Sequence, residues 1–319
     1  MRANIAVIGC GDWGKNHIAT LHSLGVLKGV YDLDSSRSCV FAKKYGVDAL
    51  TLKEIYEDPS IKGVVIALPA QFHSDHIMAA VQNGKDVFVE KPLALDLPSA
   101  QAAIEEAQKY DKILMVGHLL RYHPAFEKLH QLVQEGAVED LRYIYAHRLG
   151  FGKFHEVSDA LWDLGPHDIS MIITLINALP DMIHGEHISL INHLSDLSHL
   201  HMNFPNNIAG HLFVSRLSPY QERKLVLIGK ESMLVFDDLE DWDKKIARYG
   251  YKAQQEDNFW NIVKDEKPTY FPVKAALPLT RELEHFLKVI ETREQPRTDG
   301  RNAYEILKIL DMASKGSLI

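Results

Sequence analysis

The hydrophobic pattern changes character once along the chain. Over the first 120 residues, runs of consecutive apolar residues alternate with stretches where apolar residues recur every three or four positions. The runs lie at 5–8, 26–31, 63–68, 87–89 and 113–116, and are stopped by Gly9, Asp32, Pro69, Glu90 and Gly117. Consecutive apolar residues suit strands buried on both faces. Their alternation with helical stretches predicts a parallel sheet covered by helices. Thr51-Leu52-Lys53-Glu54 has capping-box spacing, and Asn83-Gly84 marks a helix stop. A doubly wound α/β domain is therefore expected over 1–121. Its functional edge should lie where the strands end at their carboxyl side.

Past residue 122 the texture differs. A helix is expected over 124–135 with Pro124 near its start, then a strand over 141–149. Pro166 is expected to open a helix carrying Ile169, Ile172, Ile173 and Ile176. From 182 to about 271, strand-like runs alternate with turn clusters such as Pro205-Asn206-Asn207. Helices over 280–292 and 302–314 flank the breaker at 295–300. The second domain, 122–319, reads as α+β on a largely antiparallel open sheet.

Composition narrows the partners. The 35 Lys and Arg against 43 Asp and Glu leave a net charge of −8, with no basic run. Nucleic acid and anionic membrane surfaces are thus not expected as partners. The segment 197–215 is uncharged but holds three histidines, three asparagines and a proline, so it is no membrane span. Two cysteines, Cys10 and Cys39, cannot build a disulfide framework, and a reduced, cytoplasmic protein is expected. Gly9 and Asp12 arrive too early for a signal peptide.

Three constellations carry chemistry. Gly9-Cys10-Gly11-Asp12-Trp13-Gly14 fits G-x-G-x-x-G between a strand and a helix, and Asp32 follows at the end of the next strand. Gly9 would permit the tight turn, Gly11 the approach of a pyrophosphate, and Gly14 helix–strand packing. Asp32 would bind ribose hydroxyls and repel a 2′-phosphate, favouring NAD over NADP, while the nearby Arg37 tempers that preference. Glu90-Lys91-Pro92 places a lysine at a strand's carboxyl end, although the tripeptide alone reads more readily as a surface ion pair before a loop proline. In Trp162-Asp163-Leu164-Gly165-Pro166-His167-Asp168, a histidine lies four residues from a carboxylate, an arrangement for proton transfer or for a simple helix cap. Histidines 184, 187, 193, 199, 201 and 211 fall in the expected sheet. His199-x-His201 shares a strand face but lacks further ligand motifs, so no metal is expected.

These motifs occur in one order, together with Val65-Ile66-Ala67-Leu68-Pro69, His73 and Gly84-Lys85-Asp86-Val87-Phe88-Val89. The chain resembles the Gfo/Idh/MocA family of sugar and inositol dehydrogenases over nearly its whole length. The resemblance implies Lys91 as the catalytic lysine, with Asp163 and His167 as the substrate-side pair. The usual Thr-Pro is Leu68-Pro69 here, which removes one hydroxyl from the cofactor side. Gly9, Gly11, Asp12, Trp13, Gly14, Asp32, Arg37, Leu68, Pro69, His73, Glu90 and Lys91 are expected at the cofactor. Lys91, Arg121, Tyr122, Arg148, Lys153, Asp163 and His167 are expected at the substrate. The segments 117–124 and 161–168 resemble a branch that oxidises C3 of UDP-N-acetylglucosamine or its uronate. Arg121, Arg148 and Lys153 are candidates for a diphosphate or carboxylate. His167 is the expected base, Lys91 the polarising cation and Asp163 the orienting group. A homodimer or homotetramer is expected through the open sheet. A free-sugar or inositol dehydrogenase, and a non-catalytic NAD-binding sensor, stay open as alternatives.

Overall fold

A computed structural model of the chain describes residues 4–152, 158–191, 193–315 and 317–318. The chain divides into two compact units. The first comprises Met1–Leu119 and Leu277–Lys308, the second Leu120–Ala276 and Ile309–Ile319. The contiguous second domain expected over 122–319 is corrected accordingly, because the segment beginning at Leu277 returns to the first unit.

The first unit contains β1 (Asn4–Ile8), α1 (Gly14–Ser23), β2 (Leu27–Tyr31), α2 (Ser35–Tyr45), β3 (Asp48–Ala49) and α3 (Leu52–Glu57). It continues with β4 (Ile61–Ile66), α4 (His73–Gln82), β5 (Asp86–Glu90), α5 (Leu97–Lys109) and β6 (Leu114–Gly117). The strands form one parallel sheet in the order β3-β2-β1-β4-β5-β6. This is the doubly wound order, with its switch point between β1 and β4. All five residues of β5 are buried, and four of five in β1, which is why these strands show no polar alternation. Thr51 and Glu54 form the expected capping box on α3. Gly84 adopts φ +75° directly after the cap of α4. The returning helix α8 (Pro278–Thr292) sets Phe286 edge-on to Phe88 of β5, with ring centroids 5.8 Å apart.

The second unit begins with α6 (Pro124–Gln134), β7 (Tyr143–Phe151) and α7 (Ala160–Ile176). It then forms β8 (Met182–Ile188), β9 (Leu197–Phe204), β10 (Ile208–Ser215), β11 (Leu217–Ile228), β12 (Ser232–Asp237), β13 (Ile246–Glu256), β14 (Phe259–Lys264) and β15 (Thr269–Tyr270). After α9 (Gly300–Ser314), β16 (Ser317–Leu318) joins the same sheet. The sheet is mostly antiparallel, but β7 pairs with β10, and β8 with β16, in parallel. Side chains alternate: Ile144, Ala146, Leu200, Met202, Leu212 and Val214 are buried on the face that meets α7. His147, His199, His211 and Phe213 lie half-buried on the opposite face. Asn206 and Asn207 take φ of 62° and 57° in the turn from β9 to β10, a conformation asparagine tolerates.

One helix start is corrected. Pro166 does not open α7; the helix begins at Ala160, where the Asp159 side chain accepts from the Trp162 amide, and Pro166 lies inside it. Among the described residues no helix is long and apolar enough to cross a membrane.

Candidate active site

The first unit assembles its groups at the carboxyl edge of its sheet. Gly9 has φ +103°, and a side chain there would strike the Ala67 carbonyl, so only glycine makes this turn. A Cβ on Gly14 would overlap the Gly9 carbonyl, so helix and loop meet by backbone alone. A Cβ on Gly11 would meet nothing within 4 Å. The loop is thus closed on its protein side and open at Gly11, where a pyrophosphate can approach the start of α1.

Asp32, just past β2, fixes this loop. Its Oδ2 accepts from the Cys10 amide at 2.8 Å and its Oδ1 from the Asp34 amide at 2.9 Å. Arg37 reaches Oδ2 at 3.4 Å with a half-exposed guanidinium. Burial, reinforced by Asp32, pushes the Cys10 thiol up to about 12, so it stays protonated and unreactive. Trp13 is partly exposed at the start of α1, and Asp12 is an exposed partner of Lys15 at 3.0 Å.

His73 has a different placement from a direct cofactor contact. It is fully buried, with Nδ1 2.8 Å from the Pro92 carbonyl and Nε2 2.8 Å from the Leu68 carbonyl. It therefore ties the turn after β4 to the turn after β5. Burial holds its pKa below the usual imidazole value despite both carbonyls.

Glu90 ends β5 and faces inward. His17 Nε2 lies 2.7 Å from its Oε1, and the Lys91 amide donates to its Oε2 at 3.2 Å. Gly117 on the neighbouring strand makes room, since a Cβ there would come within 3.1 Å of that oxygen. Glu282 of α8 is also buried here; burial and then the charge of Glu90 raise its carboxyl well above the ordinary range. Lys91 follows, half-buried, and the Lys91–Pro92 peptide bond is cis. His17 and Glu282 were not found from sequence. Each nonetheless occupies a buried stripe, His17 beside Ile18 and Leu21, Glu282 beside Leu283 and Phe286. A titratable residue in a core stripe was the available signal.

The second unit holds the other set. Asp163 and His167 project from adjacent turns of α7, four residues apart on one face. Arg148 of β7 is bidentate to Asp168 of α7, with Nε–Oδ2 at 2.6 Å and Nη2–Oδ1 at 3.0 Å. Burial opposes the Arg148 charge, yet Asp168 outweighs it and keeps the guanidinium protonated. Its Nε and Nη2 are thus engaged by a carboxylate of the protein itself. Tyr122 is 1% exposed and belongs to the core, whereas Arg121 is half-buried. Lys153 lies outside the described residues. Arg216, between β10 and β11, was also missed; it donates to Asp163 Oδ2 at 3.2 Å. Its signal was a single charge after the apolar run of β10. His199 Nδ1 lies 3.2 Å from His211 Nε2 on the open sheet face. Among the described residues, no group of three or more histidine, cysteine, aspartate or glutamate side chains is arranged to hold a metal.

Comparison with known proteins completes these findings. Residues 3–118 match the oxidoreductase family with an NAD-binding Rossmann fold, and residues 126–235 match the GFO/IDH/MocA C-terminal domain. The chain is 28% identical over 232 residues to a UDP-N-acetylglucosamine 3-dehydrogenase of Acidithiobacillus ferrooxidans, covering 70% of this chain and 71% of the relative. It is also 28% identical over 246 residues to a scyllo-inositol 2-dehydrogenase (NAD(+)) of Bacillus subtilis, covering 72% of each. A solved structure of the A. ferrooxidans enzyme superposes with a TM-score of 0.87 at 23% identity, over 99% of this chain and 98% of that one.

Proposed function

Because the chain belongs to the Gfo/Idh/MocA oxidoreductase family, we propose that it oxidises a secondary hydroxyl of a sugar, C3 of a UDP-2-acetamido sugar, with NAD as acceptor. The observation that carries the dehydrogenase reading is the carboxyl edge of the first unit. There an open glycine loop braced by Asp32 lies on the same sheet edge as Lys91, whose turn is held by Glu90 and His73. Bound at that edge, NAD supplies the hydride acceptor. Lys91 stabilises the oxygen as its proton leaves, a positive charge placed where negative charge develops. His167 takes the proton as general base, and Asp163 orients the substrate-side groups.

The choice of a nucleotide sugar is supported by the A. ferrooxidans relative. An inositol or free-sugar dehydrogenase is the second reading, supported by the equal identity to the B. subtilis enzyme and by the engagement of Arg148 with Asp168. The purified protein with NAD should produce NADH absorbance with UDP-N-acetylglucosamine or its uronate, with or without 2-oxoglutarate. Turnover of myo-inositol or glucose alone would replace the first reading with the second. Tight NAD binding without turnover on any of these would move the protein to a sensor role. The open sheet face, rich in tyrosine, phenylalanine and histidine, supports a homodimer or homotetramer, to be read by light scattering. The free Cys10 and Cys39 suit a reduced, cytoplasmic setting.

A further inference from the structure

We propose that Arg216 is the positioning residue of the substrate-side pair, one guanidinium that fixes the first turn of α7 and neutralises Asp163 beside His167. Its side chain is 3% exposed, and its contacts converge on one short segment. Nη1 donates to the Ser158 carbonyl at 2.8 Å, while Nη2 donates to the Asp159 carbonyl at 2.9 Å and Asp163 Oδ2 at 3.2 Å. Nη2 also lies 3.4 Å from Ser158 Oγ. The Arg216 backbone is pinned as well: its amide donates to the Asp196 carbonyl at 3.0 Å, and its carbonyl accepts from Gly152 at 3.0 Å.

The planar fork explains the choice of residue. Two backbone carbonyls and a carboxylate oxygen are satisfied from the two terminal nitrogens, which a lysine point charge cannot do together. The guanidinium is buried while the Asp163 side chain is 34% exposed, so solvent screens the pair in part. The other acids of this helix have their own duties: Asp159 caps Trp162, and Asp168 is held by Arg148. Arg216 therefore compensates the charge of the acid four residues before His167. Without it, the Asp163 carboxylate is released towards His167 and favours the imidazolium, the form that cannot accept a proton.

The inference rests on the assignment of Asp163 and His167 to catalysis, but its test needs no substrate. Histidine-labelled protein is titrated by NMR, with the His167 signal assigned through His167→Gln. Arg216→Gln should raise the His167 midpoint by roughly half a pH unit or more, and that rise should shrink when Asp163→Asn is also present. An unchanged midpoint, or the same rise in both backgrounds, would overturn the proposal, since a purely structural role would not couple to Asp163. Should the Gln variant fail to fold, Arg216→Lys decides alone. A midpoint above wild type supports the proposal, and one equal to wild type contradicts it. Turnover of UDP-N-acetylglucosamine and myo-inositol is measured in parallel. Inactive wild type with the coupled shift intact would refute the assigned activity while leaving the Arg216 inference standing.

Discussion

Lys91 is the residue whose chemistry is most exposed to test. Its backbone is held by Glu90, so removing the side chain leaves the cofactor turn in place. Lys91→Ala should lower kcat about a thousandfold while the NAD dissociation constant stays within about threefold. Equal losses in both would show that Lys91 binds cofactor and does not act on the reacting oxygen. Asp32 is the proposed determinant of the cofactor preference. Asp32→Asn keeps an acceptor for the Cys10 amide but loses the charge that repels a 2′-phosphate. NAD should bind about tenfold more weakly and NADP more tightly, read by fluorescence titration. An unchanged ratio of the two affinities would remove Asp32 from the ribose site. At this scale the sequence was legible where a motif ties residue type to position, as in the glycine loop and Glu-Lys-Pro. The surroundings of Arg148 and Tyr122 were not legible because exposure is a tertiary property: Asp168, on another element, pairs with the guanidinium, and the phenol ring is packed in the core.

Among the elements, α8 makes the sharpest stability prediction. Glu282 is buried beside Glu90 without a partner for Oε1 among the described residues. Burial first, and Glu90 second, raise its folded-state pKa above the unfolded value. Between those two values the folded state binds more protons, so stability falls as pH rises. Glu282→Gln removes that dependence. Its Tm should exceed that of the wild type, with a gap that widens from about pH 5 to about pH 8. A constant gap would contradict the raised carboxyl. In the same unit, Gly14→Ala forces a Cβ into the Gly9 carbonyl and should destabilise by about 3 kcal/mol in urea unfolding. The start of α7 shows where element boundaries escaped the sequence. Proline is favoured at a first helical turn, which suggested Pro166 as the opening. The Asp159 cap and the packing of Leu161 and Gly165 start the helix at Ala160 instead, about 1.7 turns earlier, and the interior proline is tolerated there. That extension places Asp163 and His167 on one helical face.

For the whole molecule, the two units differ in how openly they declare themselves. The first sheet is parallel, and its strands β1 and β5 are buried almost throughout, so they stand out as apolar runs ending at Gly9 and Glu90. The second sheet alternates buried and open side chains. Its parallel pairing of β7 with β10 joins segments far apart in sequence, which local patterning does not encode. The return of Leu277–Lys308 to the first unit is likewise a long-range event. Fold and family therefore follow from pattern and motif together, while the fold by itself does not fix the substrate. Hydride transfer from C3 is read by incubating UDP-N-acetylglucosamine deuterated at C3 with the protein and NAD, followed by mass spectrometry of the reduced cofactor. The cofactor should carry the deuterium, and the sugar should become a 3-keto product. Reduced cofactor formed only from myo-inositol, or none from either compound, would contradict that transfer.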